Sequence, residues 1–238
     1  MSRVHKIDGN DGSLIWSKTI NNTVGFGITE FYHLGRVDYI VSGGKGSTQE
    51  RWVARLNGDD GSIVWEKTYN TPGSNWEFDG IRMTMIGSDN YIYASGFIGG
   101  DDPGTIFIVY AGEEVVMKID PADGTEIWTN INSSSEYSVA VVESSDGYIY
   151  SANWAGGLRR FNYTESPNWE AVPLPMDDQD ELKCGEIEES YQLNPVGDCD
   201  SEHFNHRPFS VKVINDFIWV GTAGGINKGT FVENDSCI

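Results

Sequence analysis

One short unit recurs along the chain: an apolar strand, an Asp-Gly turn, and a second strand with a Trp four residues after the Gly. Copies span residues 3–18, 52–67 and 115–128, and a degenerate copy without the Asp-Gly pair spans residues 158–169. Such repetition constrains the fold strongly, because each unit must bury its apolar face against its neighbours.

The turn chemistry of this unit predicts a β-hairpin. Gly supplies a positive φ without steric cost, and the Asp side chain can bind the backbone that follows it. The constant spacing places each Trp on the same face of its second strand, where we expect it to pack between neighbouring units. The recurring structural residues are Asp11, Gly12 and Trp16, then Asp60, Gly61 and Trp65, then Asp123, Gly124 and Trp128.

A second recurrent element lies between the hairpins. It is a strand at residues 25–32, 80–86, 137–143 and 209–214, each followed by a strand that begins with Tyr-Ile or Phe-Ile and ends in small residues. The full unit is therefore four strands, with an inner pair at a crowded centre and an outer pair joined by the Asp-Gly turn. This is the outline of a β-propeller blade.

The two ends of the chain look complementary, because it opens with an outer hairpin and nearly ends with an inner pair. We therefore predict an all-β, β-propeller-like fold of about four four-stranded blades, in which the N-terminal strands close the last blade. Residues 3–8 are expected to pair with the strands near residues 221–227, which would remove free sheet edges. The alternatives are a part of a larger propeller, or assembly with another copy.

Composition supports a single all-β domain over residues 1–238. The chain has 28 glycines and 12% aromatic residues, which suit tight turns and half-buried strands. No segment shows sustained helical periodicity, and no run of 18 apolar residues is present.

The pattern Lys-Ile-Asp-x-x-Asp-Gly-x-x-x-Trp, followed by Asp-Gly-Tyr-Ile-Tyr, resembles the repeats of quinoprotein (PQQ)-like β-propellers, whose fold is WD-like. Enzymes of that superfamily use about eight blades, hold the quinone over a vicinal disulfide and coordinate Ca²⁺. This sequence has fewer blades and no adjacent Cys pair. The resemblance therefore implies the fold and a non-catalytic or divergent member, and it transfers no catalytic residue and no quinone.

Residues 176–207 depart from the repeat and are predicted to form an acidic inserted loop. Long ordered loops in compact domains are often functional. The segment carries ten carboxylates and two histidines, which makes it the best candidate binding site. The candidate binding residues are Asp198, Asp200, Glu202, His203 and His206.

The same segment holds two of the three cysteines. Cys184 and Cys199 are predicted to form a disulfide, which leaves Cys237 over. Free thiols are one alternative, and a zinc site that adds His203 and His206 is another, although its spacing differs from the usual zinc motifs. No metal site is assigned.

The Asp-rich turns resemble truncated calcium loops, but they lack the remaining ligands, with Lys18 and Lys67 where an EF-hand needs Glu. No cofactor is predicted, and calcium and zinc are the alternatives.

The charge balance bears on partners and compartment. A formal net charge of −20 repels a phosphate backbone, so nucleic acid is not an expected partner. A protein or a glycan is expected, and a homo-oligomer or a larger assembly is possible. The N-terminus shows no apolar leader, but four Asn-x-Ser/Thr sequons favour an extracellular or secretory/periplasmic location, with the cytoplasm as the alternative.

We therefore predict a non-catalytic binding or structural propeller that mediates protein or glycan interaction. The alternative is a hydrolase or lyase with a site in the central channel, possibly metal-assisted.

Overall fold

The computed structural model describes residues 1–46, 48, 50–70, 78–100, 112–136, 138–145, 147–153, 157–162, 169–173, 185–192, 208–214, 217–222 and 225–231. Within these ranges the regular structure is entirely β. The strands are β1 Ser2–Ile7, β2 Leu14–Ile20, β3 Thr23–His33, β4 Arg36–Lys45, β5 Arg51–Leu56, β6 Ile63–Tyr69, β7 Phe78–Ile86, β8 Ile92–Gly100, β9 Glu113–Ile119, β10 Glu126–Glu136, β11 Ser138–Glu143, β12 Tyr148–Asn153, β13 Gly157–Asn162, β14 Trp169–Pro173, β15 Gly185–Gln192, β16 Pro208–Ile214, β17 Phe217–Thr222 and β18 Gly225–Phe231.

These strands form antiparallel sheets that follow the repeat. We call β1–β2 the half-sheet, β3-β4-β5-β6 sheet 1, β7-β8-β9-β10 sheet 2, β11-β12-β13-β14 sheet 3 and β16-β17-β18-β15 sheet 4. In sheets 1 to 3 the chain runs through four consecutive strands from one edge to the other. The predicted four-stranded unit and the all-β class are therefore confirmed.

The Asp-Gly segments form hairpin turns of one geometry. The Gly12 N–H donates to Asp8 O at 2.9 Å and the Asp8 N–H donates to Ser13 O at 2.8 Å. The turns that contain Gly61 and Gly124 repeat both bonds. In each hairpin the register shifts by one residue directly before the Trp, at Ile15, Val64 or Ile127.

Two tryptophans of the repeat, Trp16 and Trp65, pack on the turn of the next unit. The Trp16 indole N–H donates to Gly58 O at 3.0 Å, and the Trp65 indole N–H donates to Pro121 O at 2.9 Å. A Cβ added at Gly61 would lie 2.7 Å from Trp16 Cε3, so only a glycine permits this close approach. The same contact joins Trp65 to Gly124.

The apolar core is divided among the junctions between successive sheets. The half-sheet packs on sheet 1 through Trp16, Ile20, Trp52 and their neighbours. The other three clusters join sheet 1 to sheet 2, sheet 2 to sheet 3, and sheet 3 to sheet 4. The sheets therefore stack in chain order, face against face.

The predicted pairing of residues 3–8 with strands near 221–227 is wrong. Strand β1 pairs with β2, whereas β17 lies between β16 and β18, and β18 lies between β17 and β15. Sheet 4 takes its outermost strand from residues 185–192, so it reaches four strands without the N-terminal hairpin.

Strand β15 also corrects the prediction that the acidic insertion is a loop. Residues 176–207 were expected to be a loop, but Gly185–Gln192 within them is β15, paired antiparallel with β18. Part of this segment therefore completes a sheet.

Candidate protein-binding site

The candidate binding residues of the acidic insertion lie outside the described residues. These are Asp198, Asp200, Glu202, His203 and His206, together with Cys184 and Cys199. The disulfide and the zinc alternative at these positions, and Cys237, therefore stay predictions.

The carboxylates of the Asp-Gly turns bind their own backbone. Asp11 Oδ1, Asp60 Oδ1 and Asp123 Oδ1 each accept the N–H two residues ahead at 2.8 Å. The hydrogen bonds from the backbone and side chain of Ser13 hold the pKa of Asp11 below its ordinary value. Among the described residues, no group of three or more His, Cys, Asp or Glu side chains is placed to hold a metal ion.

A buried polar cluster ties sheet 2 to sheet 3. Arg159 Nε lies 3.0 Å from Glu114 Oε2, and the Ser151 hydroxyl donates to Glu114 Oε1 at 2.7 Å. Ser138 Oγ lies 2.7 Å from Ser151 Oγ. All four side chains are buried, so the cluster is closed to a substrate and acts as a tie between sheets.

An open pocket lies beside the half-sheet, at the end of the stack away from the junction of sheets 2 and 3. It has a volume of about 520 Å³ and is lined by residues 1–5, residues 23–28 and Val41. Such a volume lies within the usual range of ligand sites. The Thr23 hydroxyl donates to Ser2 Oγ at 2.9 Å and joins the start of β1 to β3 along one wall.

The position of this pocket follows from the repeat. Strand β1 corresponds to β5 and β9, each of which pairs with a strand on both sides. Within the described part of the chain, β1 has β2 as its one partner. The inner strands β3 and β4 contact β7 of the next sheet, and the pocket lies against β3 in the same way. Among the described residues, the pocket therefore lies where a complete sheet has its inner strands.

One face of β1 is exposed where its counterparts are buried. Ile7 is 58% exposed, whereas the equivalent Leu56 and Ile119 are fully buried. On the same face, β1 carries Arg3 and His5, both exposed, at positions where sheet 1 has apolar residues. This face is therefore exposed and carries two basic residues beside Ile7, unlike the apolar interior junctions of the stack.

A cation recurs near the turn end of the third strand in each unit. Arg55 Nη2 lies 2.6 Å from Asp38 Oδ2, and Lys118 Nζ lies 2.7 Å from Asp89 Oδ2. In both sheets the carboxylate comes from the neighbouring inner hairpin. The equivalent Lys6 instead donates to Gly58 O at 2.8 Å and lies over the Tyr39 ring.

The Asp38 site shows how tightly such a carboxylate is held. Burial alone would raise the pKa of Asp38, but the hydrogen bonds from Arg55 and the Gly58 N–H, with the charges of Arg55 and Arg36, lower it below its ordinary value.

The pocket differs in charge from the rest of the molecule. The chain carries 36 acidic and 16 basic residues, but the pocket lining includes Arg3 and His5 and no Asp or Glu. Sequence reasoning missed this site. The signal that could have found it is the pair Arg3 and His5, polar at positions where the matching copy has Trp52 and Ala54.

Comparison with known proteins agrees with this architecture. A PQQ-type family model, described as outer membrane protein assembly factor BamB, matches residues 49–174, more than half of the chain. No curated protein matches the sequence significantly.

Many solved structures are similar to the chain, including the following two. One is the WD40 β-propeller domain of Doa1, with a TM-score of 0.53 and 13% identity, over 95% of this chain and 57% of that one. The other is BamB from Moraxella catarrhalis, with a TM-score of 0.42 and 15% identity, over 98% of this chain and 65% of that one. The chain thus spans less than two thirds of the length of either structure.

Proposed function

The chain belongs to the family of the outer membrane protein assembly factor BamB, and from this premise we propose that it is a non-catalytic scaffold that binds another protein. The family match also confirms the predicted PQQ-like repeat. The name of an assembly factor describes a protein that acts on other proteins, which supports a protein as the partner of this chain.

One observation carries the proposal: the pocket beside the half-sheet joins a strand edge to an exposed basic surface. Backbone N–H and C=O groups at a sheet edge can accept an additional strand. The exposed side chains of Met1, Val24 and Ile28 add apolar surface to the same pocket. Such a combination suits a polypeptide better than a small polar substrate.

The other predicted functions have less support. A glycan was the alternative partner, and a hydrolase or lyase in the central channel was the alternative activity. No contact among the described residues favours either of them. Stoichiometric zinc or calcium in elemental analysis of the purified protein would instead support the metal-assisted enzyme.

We also propose a periplasmic or extracellular location, which the reference to the outer membrane in the family description supports. Within the ranges described, no helix is long and apolar enough to span the bilayer.

Site-specific photocross-linking tests the proposal. A photoreactive phenylalanine at Ile28 in the pocket is expected to cross-link a defined protein in an extract of the source cells. The matched control is the same residue at Leu34, which is 90% exposed in the turn between β3 and β4, outside the pocket.

Reversal of the pocket charge by Arg3→Glu and His5→Glu should remove the cross-linked product, which is then identified by mass spectrometry and rebound in purified form. Equal products at Ile28 and Leu34, or none at Ile28, would contradict the proposed function.

A further inference from the structure

The inner hairpin of sheet 1 is longer than that of sheet 2. Tyr39 and Ile92 hold equivalent positions in the two sheets, because each pairs with the last residue of its third strand. The inner hairpin then closes through residues 31–38 in sheet 1 and through residues 87–91 in sheet 2, a difference of three residues. We call residues 31–38 the finger. Three further residue pairs extend its ladder at about 3.4 Å per residue, so the finger extends past the level at which sheet 2 turns.

The base of the finger is held by sheet 1 and by its junction with sheet 2. Phe31 is buried in the cluster between these sheets, with Arg55 Cζ 4.7 Å from the centre of its ring. The buried Asp38 accepts hydrogen bonds from Arg55 Nε at 2.8 Å and from the Gly58 N–H at 3.1 Å. A Cβ added at Gly58 would collide with Val37 O. The finger is therefore a rigid element, and a rigid segment loses little conformational entropy when it binds.

The tip of the finger combines an unfavourable turn residue with exposed side chains. Leu34 and Gly35 form a two-residue turn with φ of 49° and 79°, and turns with two positive φ angles favour Asn, Asp or Gly. Leu34 is 90% exposed, so the fold gains almost nothing from its apolar side chain. Tyr32 beside it is 74% exposed. Backbone strain of this kind concentrates at functional sites, which indicates a role for Leu34 outside the fold itself.

The finger also differs in charge from the rest of the molecule. It contains His33 and Arg36 and one acidic residue, Asp38. Asp38 binds two arginines, with Arg36 Nε at 3.1 Å and Arg55 Nη2 at 2.6 Å, so one positive charge is in excess. The Arg36 side chain is 41% exposed, and a guanidinium has enough donors to bind a further carboxylate.

We propose that the finger docks into an apolar cleft of a partner protein, with Tyr32 and Leu34 inside the cleft and Arg36 against a carboxylate at its rim. Tyr and Arg are among the residues that contribute most to protein interfaces. Among the described residues, no member of the finger lines the pocket beside the half-sheet. This contact is therefore a second one, beyond the proposed function, and it involves neither the pocket nor the edge of β1.

Charge disfavours two other occupants. The pocket of this chain is lined by Arg3 and His5 and by no Asp or Glu, so it would repel Arg36 of a second copy. The net charge of −20 also repels a second copy and an anionic lipid surface at long range. A partner protein needs negative charge only at the rim of its cleft, where the tip lies.

Photocross-linking at the tip of the full chain tests the proposal. In an extract of the source cells, a photoreactive phenylalanine at Leu34 is expected to capture a defined protein, through a peptide that differs from the one captured at Ile28. The matched control is Asn90, which is exposed with a φ of 64° in the shorter inner turn of sheet 2, and it should not capture this protein. The captured protein is identified by mass spectrometry and purified, and it is the probe in the binding measurements.

A peptide competitor isolates the finger from the rest of the chain. A cyclised peptide that copies residues 30–39, Glu-Phe-Tyr-His-Leu-Gly-Arg-Val-Asp-Tyr, should displace the full chain from the purified probe. The same peptide with Asn in place of Leu keeps the turn and should not compete.

Exchange of residues between the two inner turns assigns the binding to Leu34. Leu34→Asn introduces a preferred turn residue, so it should raise the midpoint of urea unfolding and weaken binding of the probe by at least about tenfold. Asn90→Leu places an exposed leucine on the shorter turn and should leave the affinity unchanged. Arg36→Gln should weaken binding and reduce its dependence on salt. A more stable variant that no longer binds separates the role of Leu34 in binding from any role in folding.

Several outcomes would overturn the proposal. These are no capture at Leu34, equal capture at Leu34 and Asn90, or an unchanged affinity of Leu34→Asn for the probe. A cross-link between two copies of the chain would assign the tip to a second copy. Sedimentation with vesicles of phosphatidylethanolamine and phosphatidylglycerol that Leu34→Asn abolishes would assign it to a lipid surface.

The pocket and the finger fail separately. A product at Ile28 with none at Leu34 leaves the proposed function intact and removes docking by the finger. A product at Leu34 with none at Ile28 does the reverse, and one peptide captured equally at both positions would contradict both proposals.

Discussion

At the scale of single residues, the repeat glycines serve two purposes that the structure separates. Gly12 and Gly61 have almost the same φ, +75° and +72°. A Cβ at Gly12 would meet no atom within 4 Å, whereas a Cβ at Gly61 would collide with the Trp16 ring. The turn alone requires the first glycine, and the turn together with the indole requires the second.

This difference predicts unequal costs for the same substitution. Gly12→Ala should lower the free energy of unfolding by about 1–2 kcal/mol, the cost of a left-handed conformation in an L-residue. Gly61→Ala should cost about 1–3 kcal/mol more, because the methyl group overpacks against Trp16. Urea denaturation of both variants measures the difference, and equal midpoints would contradict the packing role of Trp16.

At the scale of strands and sheets, the junctions are not purely apolar. The Arg159–Glu114 pair lies between sheets 2 and 3, and Ser151 satisfies the second carboxylate oxygen. Burial lowers the pKa of Arg159, and the negative charge of Glu114 opposes this shift. A buried pair of this kind holds its two sheets in one relative position, since either charge alone would be costly to bury.

Glu114→Ala should therefore lower the free energy of unfolding by about 3–5 kcal/mol, because it leaves the Arg159 charge buried without its partner. Glu30→Ala on β3 is the control, since Glu30 is exposed, and it should change stability by no more than about 0.5 kcal/mol. Thermal or urea unfolding measures both. A loss of less than about 1 kcal/mol for Glu114→Ala would show that the pair contributes little to stability.

The strands whose own residues show a turn or strand pattern were predicted from the sequence. The hairpins around Gly12, Gly61 and Gly124 have turn residues flanked by apolar strands. The inner pairs were recognised by the recurring Tyr-Ile or Phe-Ile at the start of their second strand. Strand β15 has no such signal, because it is rich in glutamate, which is depleted in strands. Pairing with the edge of β18 fixes the strand conformation of β15. A pairing between segments that are distant in the sequence cannot be predicted from the local sequence pattern.

At the scale of the whole molecule, the described sheets of this β-propeller-like fold pack in chain order, with the half-sheet at one end. Each apolar cluster joins neighbours in the chain order. Stability in such repeat arrays is approximately a sum of unit and interface contributions, and end units are the weakest. Within the described part of the chain, sheet 2 has packed neighbours on both faces, whereas the half-sheet has one.

Hydrogen exchange should follow this order, with the slowest amides in β8 and β9 and the fastest strand amides in β1 and β2. Trp16→Ala should accelerate exchange in β1 and β2 and leave β8 and β9 unchanged, because Trp16 packs only at the first junction. Mass spectrometry of peptic fragments measures this. Equal acceleration in all strands would instead indicate one cooperative unit.

The candidate site was not predictable from the sequence for a related reason. The pocket lies at the edge of β1 on which the described residues place no strand, and such an edge has no sequence motif of its own. The sequence did contain the basic residues that line it, but Arg3 and His5 acquire meaning only beside the buried Trp52 and Ala54 of the next unit.

The open turn at Gly12 has a consequence for how such chains lengthen. Trp16 lies on Gly61 and Trp65 lies on Gly124, so each of the first two units packs its indole on the turn glycine of the unit that follows. Gly12 has the same backbone conformation as Gly61 and Gly124, but a Cβ added there would meet no atom within 4 Å. A unit added ahead of the first would find room for its Trp at Gly12, but its junction would also bury Arg3 and His5, so these residues would have to become apolar like Trp52 and Ala54.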